Sequence, residues 1–190
     1  MLHIKTFYCN PFRECTYIVS AKEPSETEQL CVIIDPGMYE KKEEQRVLNY
    51  LTDNKLQLSA ILITHQHPDH ICGQDFIEAH FPNIPVYGAN DTCIPEDTVA
   101  EVAGLRFRML KTPGHKEDSV CYYIEDEDII FTGDTLFQEG IGRTDLPGGN
   151  MNELLQSLKR LKELPLKTVV YPGHGYTTTI EHERAYNPYL

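Results

Sequence analysis

A short stretch of the sequence, residues 65–70 (HQHPDH), holds three histidines and an aspartate. The chain has only 8 histidines among its 190 residues, so this density is unusual. Crowded imidazole rings are costly unless they are paired or bind a metal ion. In an extended segment alternate side chains share a side, which places His65 with His67 and lets Asp69 and His70 turn towards a second position. The stretch therefore predicts metal binding.

Three further polar residues follow the same local pattern. His115, Asp134 and His174 each come after an apolar, strand-like segment and a short turn with proline or glycine. Strands of one sheet run side by side, so residues placed just past several strand ends converge at one edge. We therefore expect these three side chains to join the histidine cluster.

The combined donor set is five imidazoles and two carboxylates, without a thiolate. Such donors favour zinc, iron or manganese over copper(I) or an iron–sulfur cluster. Seven donors exceed what one four- or five-coordinate ion accepts, which indicates two divalent ions. A carboxylate can bridge two cations, and Asp134 is the natural bridge. Two ions about 3.5–4 Å apart would hold a hydroxide and polarise a carbonyl, the arrangement of two-metal hydrolysis.

The segments that must position these residues alternate between strands and helices. Apolar runs predict strands, and patterns of 3.6-residue period predict helices. Strands are expected at 16–20, 30–35, 59–64, 84–88, 104–111, 119–125, 128–133 and 167–171, and helices at 40–54, 72–81 and 150–164, the last with Asn150 as its N-cap. The charged run 40–46 is expected to face solvent. Because no repeat or linker interrupts the chain, we expect one domain over residues 1–190, with two sheets and helices outside them.

Composition limits the partners. The formal net charge is −12, which disfavours nucleic acid, and no apolar run reaches the roughly 18 residues that a membrane span needs. The start of the sequence does not resemble a secretory signal. Six scattered cysteines without a CxxC pair indicate reduced, mostly buried thiols, and hence a cytosolic protein. Oligomeric state is left open.

The pattern formed by THQHPDH, PGH115, GD134 and PGH174 resembles that of the metallo-β-lactamase superfamily over nearly the whole chain. The resemblance implies an α+β fold, a four-layer αββα sandwich of two mixed sheets with outer helices. It also implies a first metal at His65, His67 and His115, a second at Asp69, His70 and His174, and Asp134 as the bridge. Zinc is the expected metal, with iron or manganese as alternatives.

Within the superfamily the sequence is most similar to small bacterial glyoxalase II-like proteins, through GDTLF (133–137) and the terminal ERAYNPYL. That similarity implies hydrolysis of a thioester such as a hydroxyacyl-glutathione, or of a related ester, by a metal-bound hydroxide. Asp69 would be the catalytic residue that orients the hydroxide or receives its proton. The expected partner is thus a small-molecule thioester or ester.

The tetrapeptide GRTD (142–145) leaves a second function open. Glutathione-contacting residues of glyoxalase II are replaced here by Arg143 and Asp145, and GRTD resembles persulfide dioxygenases, which use a single iron. Arg143 would bind a substrate carboxylate or, equally, form a loop salt bridge. A non-enzymatic, metal-stabilised binding domain is a third hypothesis, disfavoured because structural zinc sites close with four ligands.

Two residues near the cluster have paired interpretations. Asp35 ends an apolar strand, where it would either fix the tautomer of a ligand histidine or form an Asx-type turn before Pro36. Cys72 would be redox-sensitive or, preferably, packed behind the site. His3, His80 and His182 are expected to be ordinary surface or core histidines.

Overall fold

The first sheet is built from the N-terminal half of the chain. The computed structural model describes residues 2–22, 27–88 and 98–190. The five strands of this sheet lie in sequence order, with β1–β3 antiparallel and β3–β5 parallel. They are β1 (His3–Cys9), β2 (Glu14–Ser20), β3 (Gln29–Ile34), β4 (Leu56–Leu62) and β5 (Val86–Tyr87). The sheet is therefore mixed. Short connections join the antiparallel strands β1 to β3, whereas the parallel strands β3 to β5 are linked by crossovers that contain helices.

The second sheet has six strands in the order β13-β12-β9-β8-β7-β6, and a two-stranded ribbon, β10-β11, lies beside it. Within this sheet only β12 and β9 pair in parallel. The strands are β6 (Val99–Val102), β7 (Leu105–Lys111), β8 (Val120–Ile124), β9 (Ile129–Gly133), β10 (Leu136–Phe137), β11 (Gly140–Ile141), β12 (Val169–Pro172) and β13 (Thr178–Thr179).

Five helices complete the described fold: α1 (Lys41–Asp53), α2 (Pro68–Ile71), α3 (Gln74–His80), α4 (Met151–Lys162) and α5 (Ile180–Tyr186). Asn150 caps α4, because its side chain accepts hydrogen bonds from the backbone N–H groups of Asn152 and Glu153. No helix in the described ranges is long and apolar enough to cross a bilayer.

Three apolar clusters define the layers. Alternate residues of β2 separate cleanly: Tyr17 packs between the sheets, whereas Ile18 faces the opposite side. The cluster between the sheets includes Tyr17, Val32, Leu62, Phe107, Tyr122 and Phe131. The outer cluster of the first sheet is covered by α1 and α3, and that of the second by α4 and α5. This αββα arrangement confirms the expected fold class.

Three differences from the sequence expectations have local reasons. Strand β1 was not predicted because it is an edge strand, largely half-exposed, whose composition is mixed. Helix α5, at seven residues, is too short to show a clear period. In the charged run 40–46, Glu43 is buried: its carboxylate accepts hydrogen bonds from the backbone N–H groups of Asn10, Tyr39 and Glu40.

Candidate metal centre

Four strand ends deliver the polar cluster to one edge of the two sheets. β4 ends at Leu62, three residues before His65, and β7 ends at Lys111, four residues before His115. In the second sheet, Asp134 follows β9 directly, and His174 lies just past the end of β12. All seven residues singled out in the sequence lie here, in overlapping groups whose ligand atoms are within 4.8 Å of one another.

Three imidazoles form the first group, which we call the histidine group: His65, His67 and His115. His67 Nδ1 lies 3.1 Å from His65 Nε2 and 2.8 Å from His115 Nε2. Burial and the neighbouring imidazoles lower the pKa of His65 well below its usual value and also lower the pKa of His67. Three ring nitrogens therefore converge, two of them on imidazoles whose charged form is disfavoured, which is the donor arrangement that a divalent ion needs.

The second group, which we call the carboxylate group, contains Asp69, His70 and His174. Asp69 Oδ2 lies 3.3 Å from His174 Nε2 and 4.0 Å from His70 Nε2. Although burial opposes it, the hydrogen bond from His174 and the proximity of His70 lower the pKa of Asp69 to about 2. Burial also acts against protonation of His70, but Asp134 and Asp35 raise its pKa to about 10. This group thus favours charged side chains, whereas burial disfavours the charged form of His65 and His67.

Asp134 lies between the two groups. Its Oδ1 is 3.3 Å from His70 Nε2, and its Oδ2 is 3.5 Å from His115 Nε2 and 3.7 Å from His174 Nε2. Burial raises the pKa of this carboxyl, but the three histidines outweigh that effect and lower it. One ionised carboxylate therefore presents an oxygen to each group.

Four of the five histidine rings are oriented by a partner on the side that faces away from the cluster. The Nδ1 atoms of the rings lie within hydrogen-bond distance of outer partners: Thr64 Oγ1 at 3.1 Å for His65, Asp35 Oδ2 at 2.9 Å for His70, the Arg143 carbonyl at 2.8 Å for His115 and the Phe12 carbonyl at 3.1 Å for His174. With Nδ1 engaged outside, Nε2 faces the centre. His67 is the exception, since it presents Nδ1.

Asp35 acts through these outer contacts. Its side chain accepts hydrogen bonds from the backbone N–H of Thr64 at 2.7 Å and from the Thr64 hydroxyl at 2.6 Å, in addition to its contact with His70. It occupies the left-handed region, with φ of 47°. In an Asx-type turn the Asp35 side chain would accept the Gly37 N–H, but that N–H donates instead to the Asp35 backbone carbonyl and to the Thr16 hydroxyl. The Asp35 side chain is therefore a partner of His70. Of the two interpretations of Asp35, this geometry matches the first.

Two glycines allow this close packing. A Cβ atom on Gly173 would fall against Asp134 Oδ1 and His70 Cε1. A Cβ on Gly133, whose φ is 49°, would fall against the Thr64 side chain. The cluster therefore needs glycine at both positions.

The donor set fits divalent cations. Both His70 Nε2 and Asp134 Oδ1 are buried and have no hydrogen-bond partner. Buried polar atoms without partners are rare in native proteins, and they are common where an ion is held. Neutral imidazole nitrogens with carboxylate oxygens suit zinc, iron or manganese.

Comparison with known proteins decides the family. A sequence model of the metallo-beta-lactamase superfamily matches residues 16–108 and 75–174. The chain belongs to the metallo-β-lactamase superfamily.

Curated superfamily relatives include hydrolases. The probable metallo-hydrolase YqgX of Bacillus subtilis is 37% identical over 188 residues, covering 84% of this chain and 87% of that protein. The hydroxyacylglutathione hydrolase of Pectobacterium atrosepticum is 37% identical over 154 residues, covering 77% of this chain but only 58% of that protein. The chain thus matches the first relative over most of its length and the second over little more than half.

Solved structures of the superfamily share the whole fold. The B3 metallo-β-lactamase BLEG-1 has a TM-score of 0.89 at 31% identity and covers 99% of both chains. ETHE1 from Myxococcus xanthus has a TM-score of 0.85 at 31% identity, covering 98% of this chain and 83% of that one. TTHA1623, in a di-iron-bound form, has a TM-score of 0.81 at 30% identity, covering 98% and 100%.

Several contributors to the centre escaped the sequence argument. Glu14 is fully buried within 4.8 Å of Asp35 and His70, and burial, followed by the charge of Asp35, raises its pKa well above the usual value. Thr64 precedes His65 at a strand end, a position that could have identified it. The carbonyls of Phe12 and Arg143 carry no side-chain signal.

Other sequence interpretations meet mixed outcomes. The expectation that Cys72 packs behind the site is wrong: the residue is exposed, because it lies beyond the end of α2, and its thiol donates to the Gly37 carbonyl. The side chain of Arg143 forms a bidentate pair with Asp145, at 2.7 and 2.6 Å. His3, His80 and His182 lie outside the cluster and contact Tyr50, Phe76 and Glu139. Cys93 lies outside the described residues.

Proposed function

We propose that this superfamily member is a hydrolase that cleaves a thioester or a related ester. It would use two divalent metal ions, with zinc as the expected metal. The observation that carries the proposal is the position of Asp134 between the histidine group and the carboxylate group. Six donors around one bridging carboxylate exceed the needs of a single ion. The similarity to a hydroxyacylglutathione hydrolase supports a thioester as substrate.

His65, His67 and His115 would hold one ion and Asp69, His70 and His174 the other, with Asp134 shared. When bound, such ions lower the pKa of water and polarise a carbonyl oxygen. A thiolate is a good leaving group, so the reaction makes little demand for a strong general acid.

Asp69 is the proposed catalytic residue. It is half-buried at the mouth of the centre, and its low pKa keeps it anionic at neutral pH. A carboxylate in this state orients a water by accepting its hydrogen bond, and it takes a proton during attack on the carbonyl. His174, 3.3 Å away, holds the Asp69 carboxylate in place.

A single-iron persulfide dioxygenase is the second candidate. The observation in its favour is the group formed by His65, His70 and Asp134, because two imidazoles and one carboxylate are the donors of many non-haem iron oxygenases. In this function Asp69 and His174 would hold no second ion.

Metal content distinguishes the two functions. Untagged protein purified without added metal should contain about two divalent ions per chain by mass spectrometry, and it should hydrolyse a thioester panel. About one iron per chain, with oxygen consumption on persulfides, would replace the hydrolase by the dioxygenase. Asp69→Asn should lose most turnover and hold the second ion more weakly, with the ion at the histidine group retained, while Asp75→Asn, at an exposed aspartate on α3, should behave as wild type.

The setting of the reaction is also proposed. The described cysteines are all free thiols, which supports a cytosolic location. The acidic chain is expected to act on a small molecule, without nucleic acid or membrane as partner.

A further inference from the structure

A cavity of about 320 Å³ opens directly beside Asp69. The turn between β1 and β2 forms one wall, and the segment before α1 together with the start of α2 forms the other. The lining residues are Asn10, Pro11, Phe12, Tyr39, Pro68, Asp69 and Cys72. Because Asp69 belongs to the candidate centre, a molecule that reacts there would extend into this cavity.

The cavity surface is apolar. Phe12 and Tyr39 leave 72% and 67% of their surface exposed, and both line the same cavity. Exposed aromatic side chains that share a concave surface mark a binding site for an apolar group. Among the described lining residues none is Lys or Arg. An anionic substrate group would therefore gain no ion pair with this lining.

The position of this cavity relative to the centre is fixed by hydrogen bonds. The Asn10 side-chain amide donates to the Gly37 carbonyl and to the Asp69 carbonyl, at 2.9 Å each. The Asn10 backbone N–H donates to the buried Glu43 carboxylate at 3.0 Å. The turn that carries Phe12 is therefore tied to the backbone of Asp69, and a group bound against Phe12 is held at a defined distance from it.

We propose that this cavity binds an uncharged apolar group joined to the scissile bond, so that the natural substrate carries an aryl or branched alkyl group near the thioester. The inference rests on the proposed hydrolase function and makes glutathione, with its two carboxylates, a poor occupant of the cavity. The apolar group could belong to the acyl or to the thiol half of the substrate.

Three thioesters separate these sources. S-acetylglutathione has no apolar group, phenylacetyl-glutathione carries one on the acyl half, and S-benzyl thioacetate carries one on the thiol half. Wild type should prefer one aromatic substrate, and Phe12→Ser should lower kcat/KM for that substrate by roughly tenfold or more, mainly through KM. Its effect on kcat/KM for S-acetylglutathione should be much smaller. Tyr39→Ser should act in the same direction. Tyr186→Ser, at an equally exposed tyrosine on α5, is the matched control. Preference for S-acetylglutathione, or an equal loss on all three thioesters, would overturn the inference.

Binding can be followed without turnover through Cys72, an exposed cysteine in the lining. Benzyl methyl sulfide should slow alkylation of Cys72 by iodoacetamide, measured by peptide mass spectrometry, whereas S-methylglutathione should not. Phe12→Ser should remove the protection. Equal protection by both compounds, or by neither, would refute the apolar cavity even if thioesters are hydrolysed. Selective protection in a protein that cleaves no thioester would support the cavity and reject the hydrolase.

Discussion

The histidine group and the carboxylate group lie side by side, yet their electrostatics are opposite. His65 and His67 have lowered pKa values because they are buried among other imidazoles. In the carboxylate group burial opposes charge as well, but His174 and His70 lower the pKa of Asp69 to about 2. Asp134 and Asp35 raise the pKa of His70 to about 10. Burial thus disfavours the charged form of His65 and His67, whereas the second group contains its own ion pairs.

The difference predicts two unequal metal sites. A cation at the histidine group satisfies lone pairs that have no competing proton. At the carboxylate group it must displace the proton of His70, and it gains the attraction of Asp69 in return. The hydrogen-bond partners of the Nδ1 atoms also differ in charge. His70 contacts the Asp35 carboxylate, whereas His115 contacts a backbone carbonyl.

Substituting Asp134 should have the largest effect, because this side chain contacts both groups. Asp134→Ala should remove most bound metal and lower thioester turnover by more than about 100-fold, the upper end of losses from outer-shell changes. Metal analysis and kinetics measure both. His67→Ala should do likewise, and His80→Ala, at an exposed histidine, is the control. Normal metal content in Asp134→Ala would show that Asp134 does not bridge ions bound at the two groups.

Asp35→Asn should affect the carboxylate group more than the histidine group, because Asp35 contacts His70 directly but His65 only through Thr64. The amide cannot accept three hydrogen bonds as the carboxylate does, so His70 loses its charged partner. We expect one of two ions to bind about 10–100-fold more weakly in chelator competition, with a smaller loss for the other. Equal weakening of both ions would show that the groups are not independent.

The pH dependence of the metal-free protein should reveal His70. Its pKa is raised from 6.5 to about 10 on folding, so its stabilising contribution is complete below pH 6.5 and is lost as the pH rises towards 10. Urea unfolding in chelator should show the free energy of unfolding decreasing across this window, by at most about 1.4 kcal/mol per pH unit from this group. His70→Asn removes the contribution of His70. The difference between the wild-type and His70→Asn plots of unfolding free energy against pH then separates that contribution from the titration of the cysteine thiols.

Arg143→Ala should have the smallest effect on the centre. The residue orients His115 through its backbone carbonyl, which alanine retains, and its exposed side chain forms an ion pair with Asp145. Melting temperature and metal content should match wild type. Reduced turnover with normal metal content would instead assign the guanidinium a substrate contact.

The sequence was most informative where a side chain followed a strand. The rule that strand ends meet at one edge predicted that these residues cluster, because β9 and β12 are apolar runs and β4 and β7 begin with alternating apolar and polar residues, and both patterns predict strands. It failed for Glu14, which lies at the start of β2 and is buried by contacts distant in sequence. Backbone carbonyls leave no trace in residue type. Cys72 was misplaced because α2 ends one residue before it, which releases it to the surface.

The backbone and the side chain of Phe12 contact different parts of the site. The carbonyl orients His174, and the ring lines the cavity beside Asp69. Any amino acid supplies the carbonyl, so mutation at this position can change which molecule fits without loosening a metal ligand. Substrate preference is therefore free to drift while the chemistry stays intact, and a family built in this way can acquire new substrates by single substitutions.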